Sequence, residues 1–336
     1  MNILVIGSGA WGTTLAQVLC DNQNNVLIYA QDEETANEIN NNHTNKKYLG
    51  EVLLNPKVKC TTNYDEFVKT ADVILLSVPS AAIEPALSFL LPKLSKKYIF
   101  VNTIKGFVGE NNSTVLKYLR KLIPSKYAYG FCSIIGPSYA EEVVRRYITT
   151  VDAVSKNRRI AKKVQKLFSN KYFRVYTNND EIGSEIASAY KNAIAIGSGI
   201  LFGMGFGQNG RAALITRGIH EMREFGIYFG GKSITYLGLT GIGDLVLTCN
   251  STESRNFSFG KKIGETKDID KVLNENFLTI EGYRTVKSLY VLSKQHKLRT
   301  PIVDALYKVL YEKADIIKTL YSLMDRPVGS EFKDLD

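Results

Sequence analysis

Met1-Asn2-Ile3-Leu4-Val5-Ile6-Gly7-Ser8-Gly9-Ala10-Trp11-Gly12 is the stretch that decides the fold. A short aliphatic run reads as a strand, and a helical segment begins near Trp11. Between them Gly7, Gly9 and Gly12 have the spacing G-x-G-x-x-G. In that setting Gly7 permits the tight turn, Gly9 lets the backbone approach a pyrophosphate, and Gly12 lets the helix pack closely on the strand. The first amides of the helix then face the phosphates. A glycine turn with no ligand is the competing account, and the strand before and helix after weigh against it. The segment opens a dinucleotide-binding unit.

Outward from this turn, short β-branched runs alternate with helical stretches, as a mostly parallel sheet with helices on both faces requires. Strands are expected at 2–6, 25–29, 58–61, 73–78, 99–102, 133–135, 149–154 and 173–176. Beyond them the alternation stops, and from Asp180 the periodicity is helical, including 282–294 and 302–323, the latter broken near Lys313. The expected architecture is an α/β N-terminal Rossmann-type domain with a mostly parallel sheet, followed by an all-α C-terminal domain. Its divisions are 1–180 for the dinucleotide, 181–325 for substrate and catalysis, and a loose polar tail at 326–336. The asparagine-rich stretch 37–46 reads as a surface loop or frayed helix.

A chain of 336 residues with 44% apolar content has enough material for two cores. The longest apolar stretch, 187–207, carries Lys191 and several glycines, so it reads as a buried helix, with no stable membrane insertion expected. The N-terminus lacks the features of a signal peptide, which points to a cytoplasmic protein. Cys20, Cys60, Cys132 and Cys249 are scattered with no C-x-x-C pair, so they are expected as reduced thiols and no metal site is expected. The net charge of +10 favours anionic partners. Part of it lies in Lys156, Arg158, Arg159, Lys162, Lys163 and Lys166, spaced as the solvated face of one helix. That run lacks interleaved aromatics or a reading module, so no nucleic acid is expected as partner. Phosphorylated small molecules suit the charge.

Several further segments have the composition of a reacting site. Val78-Pro79-Ser80 and Thr103-Ile104-Lys105-Gly106 each follow an apolar strand, which puts them on the carboxyl edge where ligands bind. Lys105 can hold an anion or polarise a carbonyl there, or simply be an exposed strand-end lysine. Gly136-Pro137-Ser138-Tyr139-Ala140 reads as strand, glycine turn and a helix opened by proline, with free amides for substrate oxygens. Lys191 lies among Ala187, Ser188, Ala189, Ala193 and Ala195, small residues that imply close packing. Burial there lowers a lysine pKa and suits it to exchange a proton with an alcohol or carbonyl oxygen. The alternative is a buried stem whose amine reaches water.

Asp244, in a glycine-rich turn, can orient a lysine or bind a substrate hydroxyl, with helix capping as its other reading. Ser254-Arg255-Asn256 at a helix start suits a phosphate, or is a surface cap. Glu281 opens a helix and can favour its amides or reach a cofactor. His43, His220 and His296 have no placed serine or carboxylate partner and read as structural. Tyr29, Ala30, Gln31 and Asp32, at the end of the second strand, leave NADH against NADPH open.

Taken together, these segments closely resemble the bacterial NAD(P)-dependent glycerol-3-phosphate dehydrogenases, in order and spacing from near Met1 to about Leu323. Gly7–Thr13, Lys191–Gly197, Ala213–Gly218 and Gly243–Cys249 carry the likeness together with the motifs above. The resemblance implies NAD or NADP as cofactor and reduction of dihydroxyacetone phosphate to sn-glycerol 3-phosphate, which supplies phospholipid synthesis. A homodimer is implied as well. It implies Lys191 as proton donor and acceptor, aided by Asp244. It further implies Lys105, Gly136, Ser138, Asp244, Ser254, Arg255 and Asn256 as substrate contacts. Trp11, Gln31, Lys105, Ala140, Arg255, Thr279 and Glu281 are implied as cofactor contacts beside Gly7, Gly9, Ala10 and Gly12. Ala10 stands where the family often has serine, Gln31 where it often has a basic residue or histidine, and Tyr190 where it has an aliphatic one. The rival readings are a related two-domain dehydrogenase for another hydroxy acid or sugar acid, and a dinucleotide sensor without turnover.

Overall fold

Eight short segments form one sheet in a computed structural model that describes residues 1–275 and 280–331. They are β1 (Asn2–Ile6), β2 (Asn25–Tyr29), β3 (Lys59–Thr61), β4 (Val73–Leu76), β5 (Tyr98–Asn102), β6 (Ala128–Ile135), β7 (Thr149–Val154) and β8 (Phe173–Asn178). Their order is β3-β2-β1-β4-β5-β6-β7-β8. All neighbours are parallel except β6 and β7. β4 and β5 are buried along their whole length because helices cover both faces of the sheet, which explains their unbroken apolar runs. From β1 the chain winds outward to β3, then returns to the other side through β4. The crevice at the carboxyl ends of β1 and β4 is therefore the point where winding reverses, the place such sheets bind ligands.

The sheet ends at Asn178 and a 23-residue helix, Glu181–Gly203, begins at once, capped by Asp180 accepting from the Gly183 amide at 3.0 Å. This helix is buried almost throughout and is the axis of the helical half. Glycine is what admits its neighbour, helix Arg255–Thr266: a methyl group on Gly199 or Gly203 would overlap carbonyl oxygens of Phe257 and Lys261, and one on Gly260 or Gly264 those of Ile196 and Ile200. The two backbones touch along two turns. Helices Glu281–Gln295, Pro301–Glu312 and Ile316–Met324 complete the layer, and Lys313 is in the left-handed region at the expected break. Among the described residues no helix is long and apolar enough to cross a membrane.

Three differences from the sequence reading have physical causes. β6 starts five residues before the expected 133, because exposed Tyr129 and half-buried Gly130 break the apolar pattern while the pairing with β5 continues across them through a shift of register at Tyr129. The helix after Gly136 starts at Ala140, leaving Pro137 in the turn, where extended Tyr139 reaches across to the Leu247 carbonyl (3.0 Å). The stretch 37–46 is helical as far as Asn42, as the frayed-helix reading has it, but it is no mere surface excursion: Asn40 exchanges two hydrogen bonds with the Cys60 backbone, and Asn45 is fully buried under the glycine turn. The basic helix Arg158–Phe168 does present its charges outward over a buried face of Ile160, Ala161, Val164, Leu167 and Phe168. All four cysteines are free and buried.

Candidate active site

The turn after β1 is held by what its glycines lack. Gly7 has φ of +116°, and a side chain on it would overlap the Ser77 carbonyl at the end of β4; one on Gly12 would overlap the Gly7 carbonyl. Gly9 differs, with nothing within 4 Å of where its Cβ would stand. The turn is packed from below and open above. Asn45 braces it by donating to Ser8 O and Thr13 Oγ1, each at 2.8 Å. Asn45 Oδ1 and Trp11 Nε1 are buried with no partner among the described residues. Open space over Gly9, free amides at the start of helix Ala10–Asp21 and an orphaned donor on Trp11 fit a bound dinucleotide.

At the end of β2, Gln31 is exposed, and Asp32 accepts from the Thr35 amide (2.8 Å) as a helix cap. That bond holds the Asp32 carboxyl below its ordinary range. Glu281, at the start of its helix, accepts from Ser80 Oγ (2.8 Å) and the Ser80 amide (3.2 Å), which brings the helical half onto the carboxyl ends of β4 and β5. Thr279 lies outside the described residues.

Lys191 lies mid-way along the axial helix with its side chain only 4% exposed, so the reading in which its amine reaches water fails. Its Nζ donates to Asp244 Oδ1 and to Thr248 Oγ1 (3.0 Å), which takes up two of its three donors among the described residues. Asp244 opens helix Asp244–Asn250 and makes no capping bond; its side chain is turned to the lysine instead. Thr248, one turn later, donates to the Asp244 carbonyl (2.6 Å) and so faces the same way. Lys105, at the end of the β5 turn, stands 3.8 Å from Asp244 Oδ2. Oδ2 itself is buried and has no hydrogen bond among the described residues.

Burial drives the Lys191 pKa below the ordinary lysine range, Asp244 works against that shift, and the Lys105 cation adds to it. Cys249 contributes no charge, because burial pushes its thiol up to about 12. The cluster thus holds a lysine able to gain and lose a proton near neutrality beside an acceptor that still lacks a donor. A ligand hydroxyl would complete it.

Gly136 and Ser138 stand beside this cluster. Ser138 Oγ donates to Gly136 O (3.1 Å), and the Pro137 ring lies against Gly243. Ala140 is tied to the first helix through Thr14 Oγ1 (3.3 Å). Ser254 caps helix Arg255–Thr266 by accepting from the Phe257 amide (3.2 Å), and Asn256 accepts from the Gly282 amide (2.9 Å). Arg255 is exposed and has no hydrogen bond or ion pair among the described residues. Sequence reading missed Thr248, whose signal was its position four residues after Asp244, and Asn45, which no local pattern marks. The buried glutamates were missed too: Glu221 binds Tyr190 Oη (2.8 Å) and two amides of helix Pro301–Glu312, so Tyr190 points away from the lysine.

Fold and site together define a two-domain nicotinamide-dependent dehydrogenase. Two family models match, described as the N-terminus and the C-terminus of NAD-dependent glycerol-3-phosphate dehydrogenase, over residues 2–161 and 180–321. The chain is 43% identical over 329 residues to the glycerol-3-phosphate dehydrogenase (NAD(P)+) of Staphylococcus saprophyticus, covering 98% of this chain and 99% of that one. It is 42% identical over 333 residues to the Bacillus subtilis protein of the same name, covering 99% and 96%. The crystal structure of glycerol-3-phosphate dehydrogenase from Coxiella burnetii matches with a TM-score of 0.90 at 31% identity, covering 96% of this chain and 98% of that one. The chain belongs to the NAD-dependent glycerol-3-phosphate dehydrogenase family.

Proposed function

We propose that this chain interconverts dihydroxyacetone phosphate and sn-glycerol 3-phosphate with NADH or NADPH, supplying glycerol phosphate for phospholipid synthesis. The observation that carries the chemistry is the buried Lys191–Asp244 pair, with one lysine donor and Asp244 Oδ2 both unspent among the described residues. The nicotinamide, when bound, supplies a hydride to the substrate's carbonyl carbon. Lys191 gives the carbonyl oxygen its proton in that direction and takes the hydroxyl proton in the other. Asp244 Oδ2 accepts from the substrate's own hydroxyl. Thr248 and Asp244 together keep the lysine amine aimed, so orientation and preset charge lower the barrier.

Lys105 and Arg255 offset the anionic groups, with Ser254, Asn256, Gly136 and Ser138 around the phosphate end. Gly7, Gly9, Ala10, Trp11 and Gly12 would hold the cofactor's pyrophosphate, with Gln31 as a further cofactor contact. Lys105, Ala140, Arg255 and Glu281 would contact it as well. In this reading residues 1–180 bind the dinucleotide and 181–325 supply the proton, in a homodimer acting in the cytoplasm. Family membership supports glycerol phosphate over another hydroxy acid, and the unspent lysine donor supports turnover over sensing. The test is to mix the protein with dihydroxyacetone phosphate and follow NADH and NADPH absorbance in parallel. Loss of absorbance with either is expected, and none with either defeats the reading.

A further inference from the structure

Lys105 and Lys191 come from different halves of the molecule, and their spacing sets the charge around Asp244. Something must fix the turn that carries Lys105. Asn102, the last residue of β5, is fully buried, and its Oδ1 accepts from the Ile104 amide at 2.9 Å. Its Nδ2 lies 3.3 Å from the Ile104 carbonyl, 3.0 Å from Ser133 Oγ and 3.4 Å from Glu185 Oε1. One side chain thereby holds both backbone groups of the residue preceding Lys105. Glu185 is on the axial helix, six residues before Lys191, and is buried. It accepts from Ser133 Oγ at 2.8 Å and from the Leu116 amide at 3.0 Å.

We propose that Asn102 and Glu185 are positioning residues, a buried clasp that fixes the Lys105 turn to the helix carrying Lys191 and so sets the distance between the Lys105 cation and the Asp244–Lys191 pair. The inference rests on the roles given above to those three residues. Neither clasp residue is open to a ligand, so their effect passes through Lys105. Each polar group of the clasp has a partner in a place where an unpartnered one is costly, which is the condition for a polar network to hold one geometry. An apolar pair at 102 and 185 could fill the space but could not grip the Ile104 backbone.

The experiment is a double-variant cycle read by steady-state reduction of dihydroxyacetone phosphate across pH. Lys105→Met removes the cation that depresses the Lys191 pKa, so the high-pH limb of kcat/KM moves upward and KM for the substrate rises about tenfold or more. Asn102→Ala moves both readouts in the same direction. The double variant Asn102→Ala/Lys105→Met matches Lys105→Met alone within about twofold, because the clasp has nothing left to position. Glu185→Gln runs the same cycle with side-chain volume kept, and it carries the test if Asn102→Ala does not fold. Quenching of Trp11, the only tryptophan, by NADH shows that a variant is folded and binds cofactor, and because Lys105 is itself placed against the cofactor, the clasp and Lys105 variants weaken it alike. Effects of clasp and Lys105 variants that multiply independently, or a clasp variant with an unmoved limb, overturn the proposal. Absent turnover in the wild type defeats the functional reading instead.

Discussion

The glycine turn at 7–12 and the cluster around Lys191 are built by opposite means. The turn is contiguous, works through backbone amides and empty space, and owes its shape to side chains that are missing. The cluster draws on segments as far apart as Lys105 and Thr248 and works through side chains whose charges are buried together. A binding site for a constant ligand fragment can be made from local backbone. A proton-transfer site needs a low-dielectric setting that only tertiary packing provides.

That contrast predicts separable failures. The largest effect is expected from Lys191→Ala, which lowers kcat by about a thousandfold or more while NADH quenching of Trp11 persists. Asp244→Asn lowers kcat by about a hundredfold and also moves a pH limb. Because the Asp244 carboxylate holds the Lys191 pKa up, its loss shifts the high-pH limb of reduction to lower pH. Gly9→Val probes the other region: the protein has room for the side chain and keeps its melting temperature, whereas the dissociation constant for NADH, measured by calorimetry, rises about tenfold or more. A fall in stability in place of affinity would show the space over Gly9 to be structural. The smallest effect is expected at Gln31, where Gln31→Arg improves NADPH over NADH by a few-fold, roughly one charge-assisted hydrogen bond to a ribose phosphate.

The same contrast explains what the sequence made legible. Strands, the change to helices after Asn178 and the glycine turn follow from period and spacing, which are local. Lys191 and Asp244 were visible as residues in unusual settings, but their pairing depends on how helix Asp244–Asn250 meets the axial helix, which no spacing encodes. Ser254 turned out to be a cap as well as a neighbour of the exposed Arg255, because a hydroxyl at a helix start first satisfies its own amides. Asn45 was hidden because polar stretches read as surface, although asparagine is suited to gripping backbone when buried. Asn102, at the end of an expected strand, and Glu185, within a helical stretch, were hidden for a different reason, as their partners lie 2 to 83 residues away in sequence.

The central claim is that a buried, easily deprotonated Lys191 moves the proton. It is tested by kcat/KM for dihydroxyacetone phosphate reduction as a function of pH in the wild type and in Lys191→Ala. Reduction needs the ammonium form, so the wild-type value is level at low pH and falls as pH rises through a pKa well below the ordinary lysine range. The limb is absent from the residual activity of Lys191→Ala. A limb at the ordinary lysine position near about 10.4, or one that persists without Lys191, would contradict the account.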